Sequence, residues 1–288
     1  MHAARSTHSL VATLVLAALA VLILVGALLM APLVYGSDSG PEPITERDAL
    51  VIGVSDDRPG LSMRNRKGEL EGFDIDVATY IAGQLDIDPK DVTFKPVPLD
   101  QRENSLRRGK VDMVIASYSI TPERQDQVTF AGPYYVAHQD ILVRRDDSSI
   151  RSVRDLRGRR ICQVAGSNSW RRVIEERRVP ATLVPADSYG DCVRALVAGR
   201  LDAVSSDDLI LAGFAASAPK QVRVVNAPFT DEPYGVGLRR EDVQGCRAVN
   251  RILAGMYENG AAKTLLGQWF STSGLNVTPT VPRFEGCA

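Results

Sequence analysis

The chain has 288 residues, of which 44% are hydrophobic and 24% are charged, and its formal net charge at pH 7 is −1. This composition indicates a globular protein that is long enough for about two domains. The nearly balanced charge gives no support to nucleic-acid binding, which calls for a basic surface.

The first 36 residues predict a membrane-targeting segment rather than part of a globular domain. Residues 10–34 are apolar with one exception and carry no charge, and about 20 apolar residues are enough to span a bilayer. Arg5 precedes this stretch and Asp38 follows it, so the positive-inside rule places the rest of the chain outside the cytoplasm. Because the apolar core of a signal peptide usually has about 7–15 residues, the length favours an uncleaved anchor, with a cleaved signal peptide as the alternative. Residues 37–47, rich in Pro, Gly, Ser and acids, predict a linker.

The body of the chain opens with a strand, a loop and a helix. Residues 49–54 are an apolar run typical of a buried strand, and residues 56–67 form a polar loop with four basic side chains. Apolar side chains then recur at helical spacing as far as Leu85. Asp74 and Asp76 fall in the first turn of this helix, where they complement its dipole. A catalytic pair of carboxylates is the alternative for these two acids.

Residues 111–124 (VDMVIASYSITPER) combine a strand end with a helix start. The first residues predict a short buried strand, and Thr121, followed by proline, predicts a helix cap. Hydroxyl groups lie between the two, and Arg124 lies one turn into the helix. A carbonyl, hydroxyls, free N–H groups and a guanidinium so close together suit the carboxylate and ammonium groups of a zwitterion. The alternative is an ordinary capped junction whose arginine pairs with a surface acid.

All four cysteines follow the N-terminal segment, and an even number outside the cytoplasm argues for disulfides. Cys162 falls in a predicted strand and Cys192 at a predicted helix start, and we expect these two to pair. Cys246 and Cys287 would then tie the C-terminal tail to a helix, a pairing that the sequence leaves open. No CxxC motif occurs and no histidine lies close in sequence to a cysteine, so we expect no metal site.

Motifs along the chain resemble those of the family 3 extracellular solute-binding proteins, the amino-acid receptors of ABC importers. The resemblance covers about residues 48–270, in family order. It is carried by residues 72–77 (GFDIDV), 117–124 (SYSITPER), 164–169 (VAGSNS), 199–204 (GRLDAV) and 234–238 (YGVGL). Within the family the chain most resembles the glutamate-binding branch, in residues 58–61 (RPGL), 101–103 (QRE) and 230–232 (TDE) and in the Cys162 and Cys192 pair.

The resemblance implies an α/β fold of the periplasmic-binding-protein type II (Venus flytrap) kind, with two lobes joined by two hinge crossings. Lobe 1 would comprise residues 48–137 and be completed by residues 232–270. Lobe 2 would comprise residues 138–231, and residues 271–288 would form a tail. Strand and helix signals alternate along the chain, which favours an α/β fold with mostly parallel sheets. Closure of the hinge around a ligand is the expected motion.

The resemblance also implies contacts with the two charged groups that all amino acids share. Arg124 is expected to hold the α-carboxylate with help from the Ser119 N–H group. The Ser117 carbonyl and the Ser119 hydroxyl are expected to accept hydrogen bonds from the α-ammonium group. Asp207, from lobe 2, is expected to provide its counter-charge. The alternative for Asp207 is a helix N-cap, and both roles are compatible.

Further contacts are implied in lobe 2 and at the ligand side chain. Residues 164–169, here named the anion loop, resemble the second-lobe anion loop of the family, in which Ser167 and Asn168 would donate N–H or hydroxyl groups to a carboxylate. The alternative is a plain turn with a helix cap. Arg102 and Arg58 would hold a second carboxylate and so favour glutamate or aspartate over glutamine. The alternative for both is a solvated surface arginine, and Arg64 is a further candidate.

The chain departs from the family at positions where many members stack an aromatic ring on the ligand. Leu61 or Met63 stands at one such place, and Leu99 stands at the other. These substitutions put the shape of the cleft and the preferred ligand size in question.

The resemblance implies a receptor at the extracytoplasmic face of the cell membrane that captures a free acidic amino acid and delivers it to an ABC permease. Glutamate and aspartate are expected, with glutamine and asparagine kept open. It implies a monomer with no cofactor and no catalytic residue. Two alternatives stay open: a ligand sensor for a membrane partner, and a dehydratase-like enzyme on the same fold. No set of catalytic groups stands in a protease-like or metal-like spacing, which favours the receptor.

Overall fold

The computed structural model describes residues 42–271 together with residues 21, 273, 275, 282–284, 286 and 287. Apart from residue 21, the predicted membrane anchor therefore lies outside the described residues. Among the helices that are described, none has the length and apolar character needed to cross a membrane. The fold below is that of the compact unit that begins at Pro43.

The first half of the fold alternates short strands with helices. Its elements are β1 (Leu50–Val54), β2 (Asp57–Arg58), β3 (Ser62–Arg64), β4 (Leu70–Glu71), α1 (Phe73–Gln84), β5 (Val92–Pro96), α2 (Arg102–Arg107), β6 (Met113–Val114) and α3 (Pro122–Gln125). Short 3₁₀ turns occur at Ile44–Glu46, Pro89–Asp91 and Leu99–Gln101.

A strand of 16 residues opens the second half. The elements are β7 (Thr129–Arg144), a 3₁₀ turn (Val153–Leu156), β8 (Arg160–Val164), α4 (Ser169–Arg171), a π-helical turn (Arg172–Glu176), β9 (Thr182–Ala186), α5 (Tyr189–Val197), β10 (Val204–Asp207), α6 (Asp208–Ser217), β11 (Val222–Val224), β12 (Thr230–Leu238), α7 (Val243–Glu258) and α8 (Ala261–Phe270).

One mixed sheet runs through the molecule in the order β10-β7-β12-β6-β1-β5, with β11 also paired to β7. Strand β1 is parallel to β5 and β6, whereas β7 and β12 are antiparallel to each other from Thr230↔Gln139 to Leu238↔Thr129. These two strands connect the two lobes of the fold. The expectation of mostly parallel sheets is wrong. Among the described strands, β1 with β5, β1 with β6 and β8 with β9 are parallel, and the other pairs are antiparallel. Hairpins and a strand that returns beside the strand before it pair antiparallel.

The apolar spacing and the preceding glycine of helix α1 determine how this helix packs in lobe 1. Phe73, Val77 and Ile81 are fully buried on one face of the helix, as the apolar spacing predicts. Gly72 precedes the helix at φ 134°, and a Cβ atom there would lie 2.2 Å from the Leu61 carbonyl oxygen. Only glycine fits so close an approach, which seats the start of α1 against the β2–β3 hairpin.

The two acids of this first turn have separate structural partners. Asp74 is completely buried and accepts hydrogen bonds from the Tyr134 hydroxyl at 2.7 Å and the Ser117 hydroxyl at 2.9 Å. Burial raises the pKa of the Asp74 carboxyl. Asp76 accepts from the Trp269 indole N–H at 2.6 Å. These bonds support a structural role for both acids over a catalytic pair.

Both predicted disulfides are present. Cys162 in β8 is bonded to Cys192 in α5, across 30 residues of sequence, and Cys246 in α7 is bonded to Cys287 in the tail, across 41 residues. The first bond fixes α5 to the small sheet of lobe 2. A disulfide of this kind stabilises a fold by about 2–4 kcal/mol.

Candidate functional site

The structure brings all eight predicted ligand residues around one small cavity of about 10 Å³ between the lobes. Lobe 1 contributes Arg58, Leu99, Arg102, Ser117, Ser119 and Arg124, and lobe 2 contributes Ser167, Asn168, Ser169, Tyr189, Asp207 and Ile210. The lobes are closed on each other. A Cβ atom at Gly166 of lobe 2 would lie 2.4 Å from the Asp100 backbone nitrogen of lobe 1. The ligand roles of the eight residues stay predictions, but their convergence is a property of the fold.

The junction between β6 and α3 places Arg124. The Thr121 hydroxyl accepts from the Arg124 backbone N–H at 3.4 Å, as expected for the predicted cap. The Arg124 side chain folds back, and its Nη1 donates to the Ser119 carbonyl at 2.8 Å. Its Nη2 donates to the Gly166 carbonyl of lobe 2 at 2.9 Å. Ser117 has a φ of 46°, a left-handed conformation that is uncommon for a residue with a side chain and is found at functional turns.

Arg58 and Arg102 are buried, so the alternative of solvated surface arginines is wrong for both. Their exposed fractions are 1% and 2%, and that of Arg124 is 9%. Arg58 donates through Nη1 to the Ala116 carbonyl at 2.7 Å, while its buried Nε makes no hydrogen bond and lies 3.9 Å from the Asp57 Oδ1. Arg102 donates to the Leu99 carbonyl at 2.9 Å and, through Nη2, to the Gly166 carbonyl at 3.1 Å.

The remaining candidates in the first loop do not line the cavity. Arg64 is about half exposed and donates to the Gly68 carbonyl at 2.9 Å within its own hairpin. Met63 is exposed, and Leu61 is completely buried in the core of lobe 1. Of the residues at the two places where many family members carry an aromatic ring, Leu99 lines the cavity, and Leu61 and Met63 do not. The prediction for Arg64 is therefore not supported by its position.

A buried tyrosine lies beneath two of the arginines, and the sequence motif did not reveal this role. The Tyr118 ring centroid is 4.1 Å from the Arg102 guanidinium carbon and 5.1 Å from that of Arg124. The Tyr118 hydroxyl donates to Glu103 at 2.5 Å, and Glu103 lies 3.8 Å from the Arg124 Nε. Stacking of this kind stabilises a desolvated guanidinium. Burial, with the positive charge of Arg124, still lowers the pKa of Arg102 to about 9.

Asp207 stands at the end of β10 and in the N-cap position of α6, but its side chain makes no capping bond. The carboxylate instead accepts from the Gln139 side-chain amide and from the Tyr234 hydroxyl, the latter at 2.7 Å. Burial, with the nearby Glu232 charge, raises the pKa of Asp207 to about 8. The hydrogen-bond donors to Asp207 are neutral, so its ionised form is buried without a positive partner. A bound cation would offset the desolvation cost of the carboxylate.

Side chains of the anion loop are engaged within the protein. The Ser167 hydroxyl lies 2.7 Å from the Tyr189 hydroxyl and accepts from the Ser169 backbone N–H at 3.1 Å. The Asn168 amide donates to Glu232 at 2.9 Å. The Ser167 backbone N–H donates to the Val164 carbonyl at 3.1 Å. The Asn168 side chain is thus committed to Glu232, a contact between distant parts of the chain that no local pattern shows.

The described part of the chain holds no group of three or more His, Cys, Asp or Glu residues placed to bind a metal ion. The chemistry of the cavity is that of three guanidinium groups, one carboxyl and several hydroxyls. A polar cavity between two lobes agrees with the two-lobe type II fold that the sequence predicts.

Comparisons with known proteins agree with this class. Residues 50–272 match the family of bacterial extracellular solute-binding proteins, family 3. The chain is 37% identical over 231 residues to the glutamate-binding protein GluB of Corynebacterium glutamicum, covering 77% of this chain and 78% of that protein. It is 34% identical over 228 residues to the ABC transporter glutamine-binding protein GlnH of Bacillus subtilis, covering 78% and 82%.

A solved structure of an ancestral arginine-binding protein bound to arginine is also similar. Its TM-score is 0.72 at 32% sequence identity, over 78% of this chain and 99% of that chain. The chain therefore belongs to the family 3 bacterial extracellular solute-binding proteins. It is an extracytoplasmic solute-binding protein and not an enzyme.

Proposed function

We propose that this protein captures an acidic amino acid, glutamate or aspartate, outside the cytoplasm and delivers it to an ABC importer. The observation that carries the proposal is the set of three buried arginines around one cavity. Among the lining residues that the structure describes, Asp207 is the single acid beside these three arginines, so basic side chains outnumber acidic ones by two. Glutamate, with two carboxylates and one ammonium group, reduces this excess, whereas glutamine carries no net charge.

Each group of the ligand has a matching group in the cavity. Arg124 holds the α-carboxylate, and the anion loop covers it from lobe 2. Asp207, the Ser117 carbonyl and the Ser119 hydroxyl receive the ammonium group. Arg102 and Arg58 hold the side-chain carboxylate, since a guanidinium with unsatisfied N–H groups gains most from a charged acceptor.

The named relatives support an amino-acid ligand. They differ in the side chain of that amino acid, so we infer the side chain from the residues that line the cavity. The GluB relative is named for glutamate, the GlnH relative for glutamine, and the ancestral structure contains arginine. Arginine as a ligand would bring a third positive group toward Arg102 and Arg58. We therefore favour the acidic ligands over the amides, and the amides over arginine.

Delivery to a permease also requires a place at the membrane. We propose that residues 1–36 anchor the protein to the cell membrane, with residues 37–47 as a linker, and that lobes 48–137 with 232–270 and 138–231 close as a monomer around the ligand. The apolar composition of residues 10–34 supports the anchor. N-terminal sequencing of the membrane fraction tests it, because a cleaved signal peptide would yield a new N-terminus near residue 37.

Isothermal titration calorimetry with glutamate, aspartate, glutamine and asparagine tests the ligand. We expect glutamate or aspartate to bind at least about tenfold more tightly than the matching amide, because one charge-assisted hydrogen bond is worth that much. Tighter binding of an amide would contradict the proposal that Arg102 and Arg58 hold a side-chain carboxylate, but it would still support an amino-acid receptor. Failure of all four to bind would overturn the acidic amino-acid proposal.

A further inference from the structure

Both hinge strands carry one completely buried polar side chain that reaches the anion loop. Gln139 lies on β7 and Glu232 lies on β12. The Gln139 amide donates to the Ser169 hydroxyl at 3.1 Å. Glu232 accepts from the Asn168 amide at 2.9 Å. The anion loop, which covers the cavity, is thus hydrogen-bonded to both strands that connect the lobes.

The Glu232 carboxylate has the stronger of the two sets of contacts. Its Oε1 accepts from the Arg172 Nε at 2.7 Å and from the Thr230 hydroxyl at 3.0 Å. Its Oε2 accepts from the Asn168 amide at 2.9 Å and from the Arg172 Nη2 at 3.2 Å. Four donors from three residues therefore use both oxygens, and the bidentate arginine compensates the buried charge.

Glu232 does not line the ligand cavity, whereas Asn168 does. We infer that Glu232 is a positioning residue, which holds the anion loop against the hinge strand in the geometry that receives the ligand. The inference rests on the proposed amino-acid site. A loop that is held in place before binding loses less conformational freedom when the ligand arrives, and affinity rises accordingly.

The test is Glu232→Gln in the full-length protein, measured by isothermal titration calorimetry. An amide of the same shape has one acceptor oxygen, so its NH₂ group must face one pair of the donors that the carboxylate served. We expect Kd to rise by about 10- to 100-fold. Because the loop lies against Arg124, the proposed clamp of the shared α-carboxylate, every amino acid that the wild-type protein binds should lose affinity by the same factor.

Two further variants separate positioning from mere stabilisation. Glu175→Gln removes a carboxylate from the exposed pair with Arg171, in the same segment of lobe 2, and should leave Kd within twofold of wild type. Asn168→Ala removes the loop side of the Glu232 contact. If Glu232 acts through Asn168, the double variant should bind no more than about threefold more weakly than Glu232→Gln alone.

The outcomes are distinct. A purely structural role for Glu232 would lower the number of binding sites per molecule while Kd stays at the wild-type value, and it would overturn the inference. Independent, multiplicative effects of Asn168→Ala and Glu232→Gln would also overturn it, because Asn168 would then contact the ligand by itself. A wild-type protein that binds none of the four amino acids would overturn the proposed site, and the inference with it.

Discussion

Arginine is rarely buried, because its guanidinium group stays charged and loses its hydration. In this cavity Arg58 and Arg102 donate hydrogen bonds to the backbone carbonyls of Ala116, Leu99 and Gly166. A carbonyl dipole compensates a positive charge less well than a carboxylate does. The residues themselves therefore argue for an anionic ligand more strongly than any motif in the sequence does.

The first prediction at this scale concerns Arg102→Ala. We expect glutamate affinity to fall by about 10- to 100-fold, with a smaller loss for glutamine, because a neutral side chain gains less from the guanidinium. Titration calorimetry with both ligands measures the two losses. Arg107→Ala, an exposed arginine on the same helix, is the matched control and should bind as wild type does. Equal losses for glutamate and glutamine would contradict the specificity proposal.

A second prediction at this scale concerns the titration of Asp207. Burial and Glu232 raise its pKa from 3.8 to about 8 in the folded protein. Between these values the folded protein holds a proton that the unfolded chain has lost, so this group makes the free energy of unfolding fall as pH rises. Asp207→Asn removes the effect and should gain stability relative to wild type from pH 5 to pH 7, by up to about 1.4 kcal/mol per pH unit. Guanidinium unfolding of the ligand-free proteins measures it, and a difference independent of pH would refute the raised pKa.

At the scale of elements, local signals predicted local structure. Thr121 and Pro122 mark the start of α3 because a cap depends on neighbouring residues alone, and the apolar spacing of Phe73, Val77 and Ile81 marks α1 for the same reason. The ring of Tyr118 beneath the arginines and the bond from Asn168 to Glu232 depend on segments brought together by folding. The spacing of residues in the sequence does not predict contacts between distant segments. The family resemblance therefore predicted the site residues but not the side chains that contact them.

The disulfide of lobe 2 gives the prediction at this scale. Cys162→Ala with Cys192→Ala should lower the free energy of unfolding by about 2–4 kcal/mol, because the bond restricts the unfolded chain. Urea denaturation followed by circular dichroism measures the loss. The matched pair Cys246→Ala with Cys287→Ala opens a loop of 41 residues instead of 30, so a similar loss is expected. An unchanged midpoint for the first pair would show that this bond does not stabilise the fold.

At the scale of the molecule, closure depends on places where the lobes approach without side chains between them. Gly213 lies in α6 of lobe 2, and a Cβ atom there would lie 1.8 Å from the Pro59 carbonyl oxygen of lobe 1. Gly166 makes a similar approach to the backbone at Asp100. Neither glycine could be assigned to an interface from the sequence, since each reads as an ordinary helix or turn residue. Their role follows only from the way in which the two hinge strands place the lobes.

Gly213→Ala should therefore act as a wedge between the lobes. Alanine favours the helix by about 1 kcal/mol relative to glycine, so we expect the fold of lobe 2 to be as stable as wild type or more stable. The added methyl group overlaps the Pro59 carbonyl only when the lobes are closed. We expect ligand affinity to fall by tenfold or more, and small-angle X-ray scattering to record a smaller compaction on ligand addition than in wild type.

Gly255→Ala places a methyl group on α7 where no atom lies within 4 Å, and it should gain the helix stability without losing affinity. If Gly213→Ala binds and compacts as wild type does, the closed arrangement of α6 against the β2–β3 loop is not the ligand-bound state.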